Sequence, residues 1–122
     1  METERRSFVA PDPAEVVAAF GDAWGRHDLE AALSMLTDDC VFDATGPAPD
    51  GVRHAGRDEI RAAWKGIFDD VTSGFETEST FACGDRVVQL WRYSWADGHV
   101  RGVDVFRVEG DRIAEKLSYV KG

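Results

Sequence analysis

Arg101-Gly102-Val103-Asp104-Val105-Phe106-Arg107-Val108 is the stretch on which the reading of this chain turns. Side chains alternate across a β-strand, so Val103, Val105 and Arg107 share one face and Gly102, Asp104 and Phe106 the other. A carboxylate flanked by apolar residues in a central strand is costly to bury unless it has partners or a task. Asp104 is therefore the first residue to account for.

The sequence on either side predicts hairpins. Asp97-Gly98 is a two-residue turn signal. It joins the strand to Arg86–Trp95 and sets Tyr93 opposite Gly102, Trp91 opposite Asp104 and Gln89 opposite Phe106. Directly opposed residues share a face, so Gln89, Trp91, Tyr93, Gly102, Asp104 and Phe106 line one aromatic surface carrying one carboxylate. Beyond the strand, Glu109-Gly110-Asp111 turns the chain into Ile113–Val120. A tight turn brings Glu115, Leu117 and Tyr119 to the Asp104 face, which is the arrangement adopted here. A longer turn or a bulge sends Lys116 and Ser118 there instead. Phe75–Cys83, joined through Gly84-Asp85, is a further strand.

The first half of the chain reads as helix. Asp12 caps a helix with Pro13 in its first turn and an apolar stripe of Val16, Phe20 and Trp24. Gly25-Arg26-His27-Asp28 ends it, and Asp28 caps a shorter helix bearing Leu29, Ala32, Leu33 and Leu36. Thr37-Asp38-Asp39 turns into a strand over Cys40–Ala44, and Thr45–Gly51, with two prolines and two glycines, is loop. A short extended piece, Val52–Ala55, precedes a third helix whose apolar face is Ile60, Ala63, Trp64, Ile67 and Phe68. Helices followed by a meander of long strands define an α+β domain, with helices on one face of a curved sheet. Residues 1–11 are polar and expected to be loosely held, and 12–122 form one domain.

Composition narrows the function. The chain has 122 residues and a net charge of −9, from 23 acids against 14 bases. That excess repels phosphate backbones and anionic lipid, so nucleic-acid and membrane roles are disfavoured. Cys40 and Cys83 each sit in or beside an apolar strand pattern and read as two buried thiols in a reducing cytoplasm, and no spacing suggests a metal site. No run is long enough to span a bilayer.

The order of these elements resembles the nuclear transport factor 2-like superfamily, in its SnoaL-like and ketosteroid-isomerase-like branches. The residues that carry the resemblance are Ala23–Glu30, Leu36–Phe42, Gly56–Trp64 and Asp104–Val108, with Gly110, Ile113 and Glu115. It implies a cone of curved, mixed or antiparallel sheet enclosed by three helices, an internal pocket, no cofactor, and a homodimer through the outer sheet face. Ketosteroid isomerase uses two hydroxyls and an aspartate base where this chain carries Phe20, Trp64 and Ala44, with Asp43 one residue earlier. Its late-strand acid is matched by Asp104. Steroid isomerisation by that mechanism is thus disfavoured. The acid–arginine–acid arrangement of limonene epoxide hydrolase is missing too, since Ser94 follows Arg92 where an acid is needed.

Asp104 is the leading candidate for catalysis, as a neutral hydrogen-bond donor or an ionised base, with Tyr93, Tyr119 and His54 assisting. Its structural alternative is a carboxylate bonded to Trp91, Tyr119 or backbone. Phe20, Trp24, Phe42, Trp64, Phe68, Trp91, Phe106 and Leu117 are the candidate ligand-binding side chains, though any one aromatic is more often plain core. His27 and His99, in a helix–helix turn and a hairpin tip, are expected to be solvated. The expected function is cofactor-independent acid–base chemistry (isomerisation, cyclisation, dehydration or hydrolysis) on a hydrophobic, oxygenated small molecule. The alternative is a non-catalytic ligand-binding or dimerising domain.

Overall fold

The computed structural model describes residues 11–121; the expected loose N-terminal segment lies outside them except for Pro11. Among the described residues three helices, α1 (Pro13–Gly25), α2 (Leu29–Ser34) and α3 (Arg57–Asp69), accompany six strands. The strands are β1 (Leu36–Asp43), β2 (Arg53–Ala55), β3 (Gly74–Cys83), β4 (Arg86–Trp95), β5 (Gly98–Glu109) and β6 (Arg112–Val120). They form one mixed, curved, unclosed sheet in the order β2-β1-β6-β5-β4-β3, parallel only between β1 and β6. The helices cover its concave face. The expected α+β architecture is the observed one.

The helix starts follow local chemistry. Asp12 and Asp28 accept hydrogen bonds from the backbone N–H groups of Ala14 (2.9 Å) and Ala31 (3.1 Å), satisfying donors that the first turn leaves free. Val17, Phe20 and Ala23 of α1 meet Ile60, Trp64 and Phe68 of α3 over Phe106, Val108 and Ile113 of the sheet. Phe20 lies 5.7 Å from Trp64 and 5.9 Å from Phe106 between ring centres. The fully buried Trp64 marks the centre of this core.

Several expectations shift. Cys83, expected to be buried, is exposed at the end of β3. The predicted turn at Thr37–Asp39 is part of β1, which begins at Leu36. His27 is not solvated. Its backbone takes a positive φ of 55°, and its two ring nitrogens lie 3.1 Å from the carbonyl oxygens of Phe68 and Ser73. It thus ties the α1–α2 corner to the end of α3 and the start of β3.

Two register changes bear on the site. The β4–β5 turn is Ala96-Asp97, so Trp91 faces Gly102 and Gln89 faces Asp104. The slide is two residues, so every side chain keeps its predicted face. Trp91 needs this position, because a Cβ at Gly102 would lie 2.5 Å from its ring. The β5–β6 turn is the tight one expected at Gly110-Asp111, but the pairing then jumps from Val108↔Ile113 to Arg107↔Glu115. Ala114 is an extra residue, a β-bulge, and it reverses the facing of all that follows. Phe106 faces Lys116 and Asp104 faces Ser118. This corrects the arrangement adopted from the sequence: Lys116 and Ser118 share the Asp104 face, while Leu117 and Tyr119 lie on the other.

Candidate functional site

Lys116 comes from the middle of β6 and Asp104 from the middle of β5, on the concave face, and both are almost wholly buried, at 6% and 4% exposure. Lys116 Nζ lies 3.2 Å from Asp104 Oδ2 and donates to Ser118 Oγ at 3.0 Å. The same ammonium stands over the rings of Phe42 (4.9 Å), Trp24 (5.1 Å) and Trp64 (5.9 Å). Their electron-rich faces favour a cation. The charge is thus held by a carboxylate, a hydroxyl and three rings, each on a different element. Asp104 Oδ1 and the indole N–H groups of Trp64 and Trp91 are buried without a protein partner.

Two hollows meet at this pair. The larger is a cleft of about 470 Å³ bounded by Phe42, Ala44, Val52, Ile67, Val100 and Val120, with His54, Tyr93, Lys116 and Ser118 as its principal polar side chains. The smaller is a chamber of about 50 Å³ lined by Phe20, Gly21, Thr77, Gln89, Asp104 and Phe106. Trp24, Phe75, Trp91 and Lys116 border both and form the partition. Phe75 packs edge-on to Trp24 at 5.3 Å and to Trp91 at 5.1 Å. The cleft is of the size that small-molecule sites take, and mostly apolar.

The sequence-predicted residues divide accordingly. Asp104, Phe20 and Phe106 border the chamber; Tyr93, His54 and Phe42 border the cleft; Trp24 and Trp91 border both. His54 is half-buried and stacks on Phe42 at 5.8 Å and 17°. His54, Phe42 and Lys116 occupy one row across β2, β1 and β6, so about 10 Å of sheet separates the two polar groups. Trp64 and Phe68 back the site as core. Tyr119, 54% exposed, and Leu117 lie outside both hollows. Asp43 points away from the cleft, 3.9 Å from Arg53. Lys116 is the residue that the adopted register missed. Its signal is the apolar doublet Ile113-Ala114, both buried, which breaks the alternation of β6.

The architecture defines a pocket-bearing domain of the nuclear transport factor 2-like type. The chain belongs to the SnoaL-like domain family, whose model matches residues 17–116. It is similar to an NTF2-like protein of unknown function from Mesorhizobium loti: 42% identity over 92% of this chain and 97% of that one, with a TM-score of 0.82. A computationally designed 17-OHP binder is 25% identical, covers 89% of this chain and 91% of its own, and has a TM-score of 0.75. A Mycobacterium tuberculosis protein in complex with estradiol-17β-hemisuccinate is 22% identical, with 89% and 94% covered and a TM-score of 0.74. No curated protein matches the chain.

Proposed function

We propose that the cleft binds a hydrophobic small molecule bearing a carbonyl or comparable oxygen, which Lys116 receives, and that the domain performs cofactor-independent acid–base chemistry on it. The observation that carries this reading is the buried Lys116–Asp104 pair at the junction of an apolar cleft and a polar chamber. An ammonium has three N–H donors. Ser118 accepts one of them and Asp104 Oδ2 pairs with the charge at 3.2 Å, which leaves a donor for a ligand oxygen. As negative charge develops on that oxygen, a preorganised cation in a dry site stabilises it more than water does. Asp104 orients Lys116 from the chamber side, and His54 and Tyr93 flank the ligand from the cleft side. Two of the similar structures, the designed 17-OHP binder and the complex with estradiol-17β-hemisuccinate, support the hydrophobic, oxygenated class.

The test compares α-tetralone with its hydrocarbon parent tetralin by quenching of the cleft tryptophans. A hydrogen bond to a charged group is worth about 1.5–3 kcal/mol, so the ketone should bind at least about tenfold more tightly. Equal affinity, or no saturable binding of the ketone, refutes the reading.

We place the protein in a reducing cytoplasm, on its two free thiols. No described helix is long and apolar enough to cross a membrane. The outer sheet face, with Phe81 55% and Leu90 38% exposed, supports a homodimer. Sedimentation as a monomer at micromolar concentration would contradict that.

A further inference from the structure

We propose that Lys116 is a nucleophile: its amine condenses with the carbonyl carbon of an aldehyde or ketone in the cleft and holds it as an iminium ion, with Asp104 as counter-ion. This rests on the reading that the cleft brings a ligand oxygen to Lys116. The chain has three lysines, at positions 65, 116 and 121. Lys65 and Lys121 are exposed, whereas Lys116 is buried in the cleft wall. An arginine there could meet the same carboxylate and rings, but it does not give up its proton. A lysine does, and the free amine attacks carbonyl carbon. Asp104 Oδ2, 3.2 Å from Nζ, is within reach of direct proton transfer. Ser118 Oγ accepts from Nζ at 3.0 Å, and Ser118 is itself part of the cleft lining. The amine thus has a proton acceptor on one side and a hydroxyl relay on the side where the ligand sits. The aromatic cage favours the product. An iminium keeps one positive charge at the same place, so the rings of Phe42, Trp24 and Trp64 and the carboxylate serve it as they serve the ammonium. An apolar cleft also limits the water that would hydrolyse it.

The protons balance across these neighbours. The ammonium first gives one proton to Asp104 Oδ2, leaving a neutral amine and a neutral acid. The nitrogen lone pair bonds to the carbonyl carbon, and the π pair moves onto the ligand oxygen. The nitrogen, now positive, passes one proton through the Ser118 hydroxyl to that oxygen, which gives a neutral carbinolamine. The Asp104 proton then returns to the nitrogen and travels by the same hydroxyl to the carbinol oxygen. That oxygen leaves as water into the cleft while the nitrogen lone pair forms the carbon–nitrogen double bond. The result is one iminium cation, one Asp104 carboxylate and one water, and no oxidant or reductant is consumed. Hydrolysis by the reverse path frees the carbonyl compound.

The test is reductive trapping on the wild-type chain. The protein is incubated at pH 7 with 2-naphthaldehyde and sodium cyanoborohydride, which reduces an iminium to a stable secondary amine, and peptide mass spectrometry locates the naphthylmethyl group. The other two lysines are the internal standard. A carbonyl held beside the amine reacts far faster than one met by diffusion, so Lys116 should be modified at least about tenfold faster than Lys65 and Lys121, although it is the buried one. 2-Naphthylmethanol has the same skeleton and an oxygen but forms no iminium. In excess it should slow the modification of Lys116 and leave that of Lys65 and Lys121 unchanged. In urea the three rates should become equal, because the preference comes from the fold. If the alcohol binds by calorimetry and Lys116 is modified no faster than the exposed lysines, the proposal is overturned and the oxygen-receiving reading stands. A preference for Lys116 that persists in urea overturns it as well. If neither naphthalene binds and Lys116 stays unmodified, both readings fall together.

Discussion

Removing either member of the Lys116–Asp104 pair should cost more stability than removing both. The side chains are 7% and 6% exposed and their charged atoms 3.2 Å apart, so solvent screens them little. At an effective dielectric constant of about 20 their attraction is about 5 kcal/mol, and breaking a buried pair costs about 3–5 kcal/mol. The two losses are unequal. In Asp104→Leu the ammonium keeps Ser118 and the faces of Phe42, Trp24 and Trp64, each ring worth about 0.5–2 kcal/mol. That variant should lose about 3 kcal/mol. In Lys116→Met the carboxylate keeps no protein partner on either oxygen, and the loss should approach 5 kcal/mol. The double variant replaces two buried charges with well-sized apolar groups and should fall within about 1 kcal/mol of wild type, or above it. Urea unfolding at pH 7, followed by tryptophan fluorescence and circular dichroism, gives the four free energies of the cycle. Additive losses would show that the two groups do not interact. Asp104→Leu weaker than Lys116→Met would show that the rings do not hold the cation.

Two further outcomes follow from the packing. Burial pushes the Cys40 thiol up to about 12 from an ordinary 9.0, whereas Cys83 is exposed, so a thiol reagent at pH 8 should modify one cysteine in the native protein and the second only on unfolding. Between pH 9 and 12 the folded chain keeps a Cys40 proton that the unfolded chain releases, so stability falls as pH rises there, and Cys40→Ala should flatten that slope in alkaline urea titrations. Gly102→Ala would set a Cβ 2.3 Å from the Tyr119 carbonyl oxygen and 2.5 Å from the Trp91 ring. It should cost about 1–3 kcal/mol and quench or shift Trp91 emission, and unchanged stability would contradict the tight Trp91–Gly102 stacking.

The site was legible in the sequence to a defined depth. Asp104 stood out because a lone acid breaks the apolar pattern of its strand, and it is indeed buried on the concave face. Misplacing the β4–β5 turn by one position at each strand end slid the pairing by two residues and cost nothing in facing, because the pleat repeats every two residues. The β5–β6 hairpin shows the opposite sensitivity. Its turn was read correctly, yet one extra residue at Ala114 moved Lys116 inward and Leu117 and Tyr119 outward. His27 was read as solvated because its two carbonyl partners, Phe68 and Ser73, lie 41 and 46 residues away.

By itself the sequence determined the element order, the helix caps at Asp12 and Asp28, the aromatic face of β4 and β5, and the family. These depend on local periodicity and on groups a few residues apart, which a linear reading contains. Tertiary structure alone decided that the buried acid has a lysine as counter-ion, that three rings from three elements cage that lysine, and that the pair divides a cleft from a chamber. Each of those facts rests on distances between strands and helices far apart in the chain. They were settled when a single bulged residue set which face of β6 met the core.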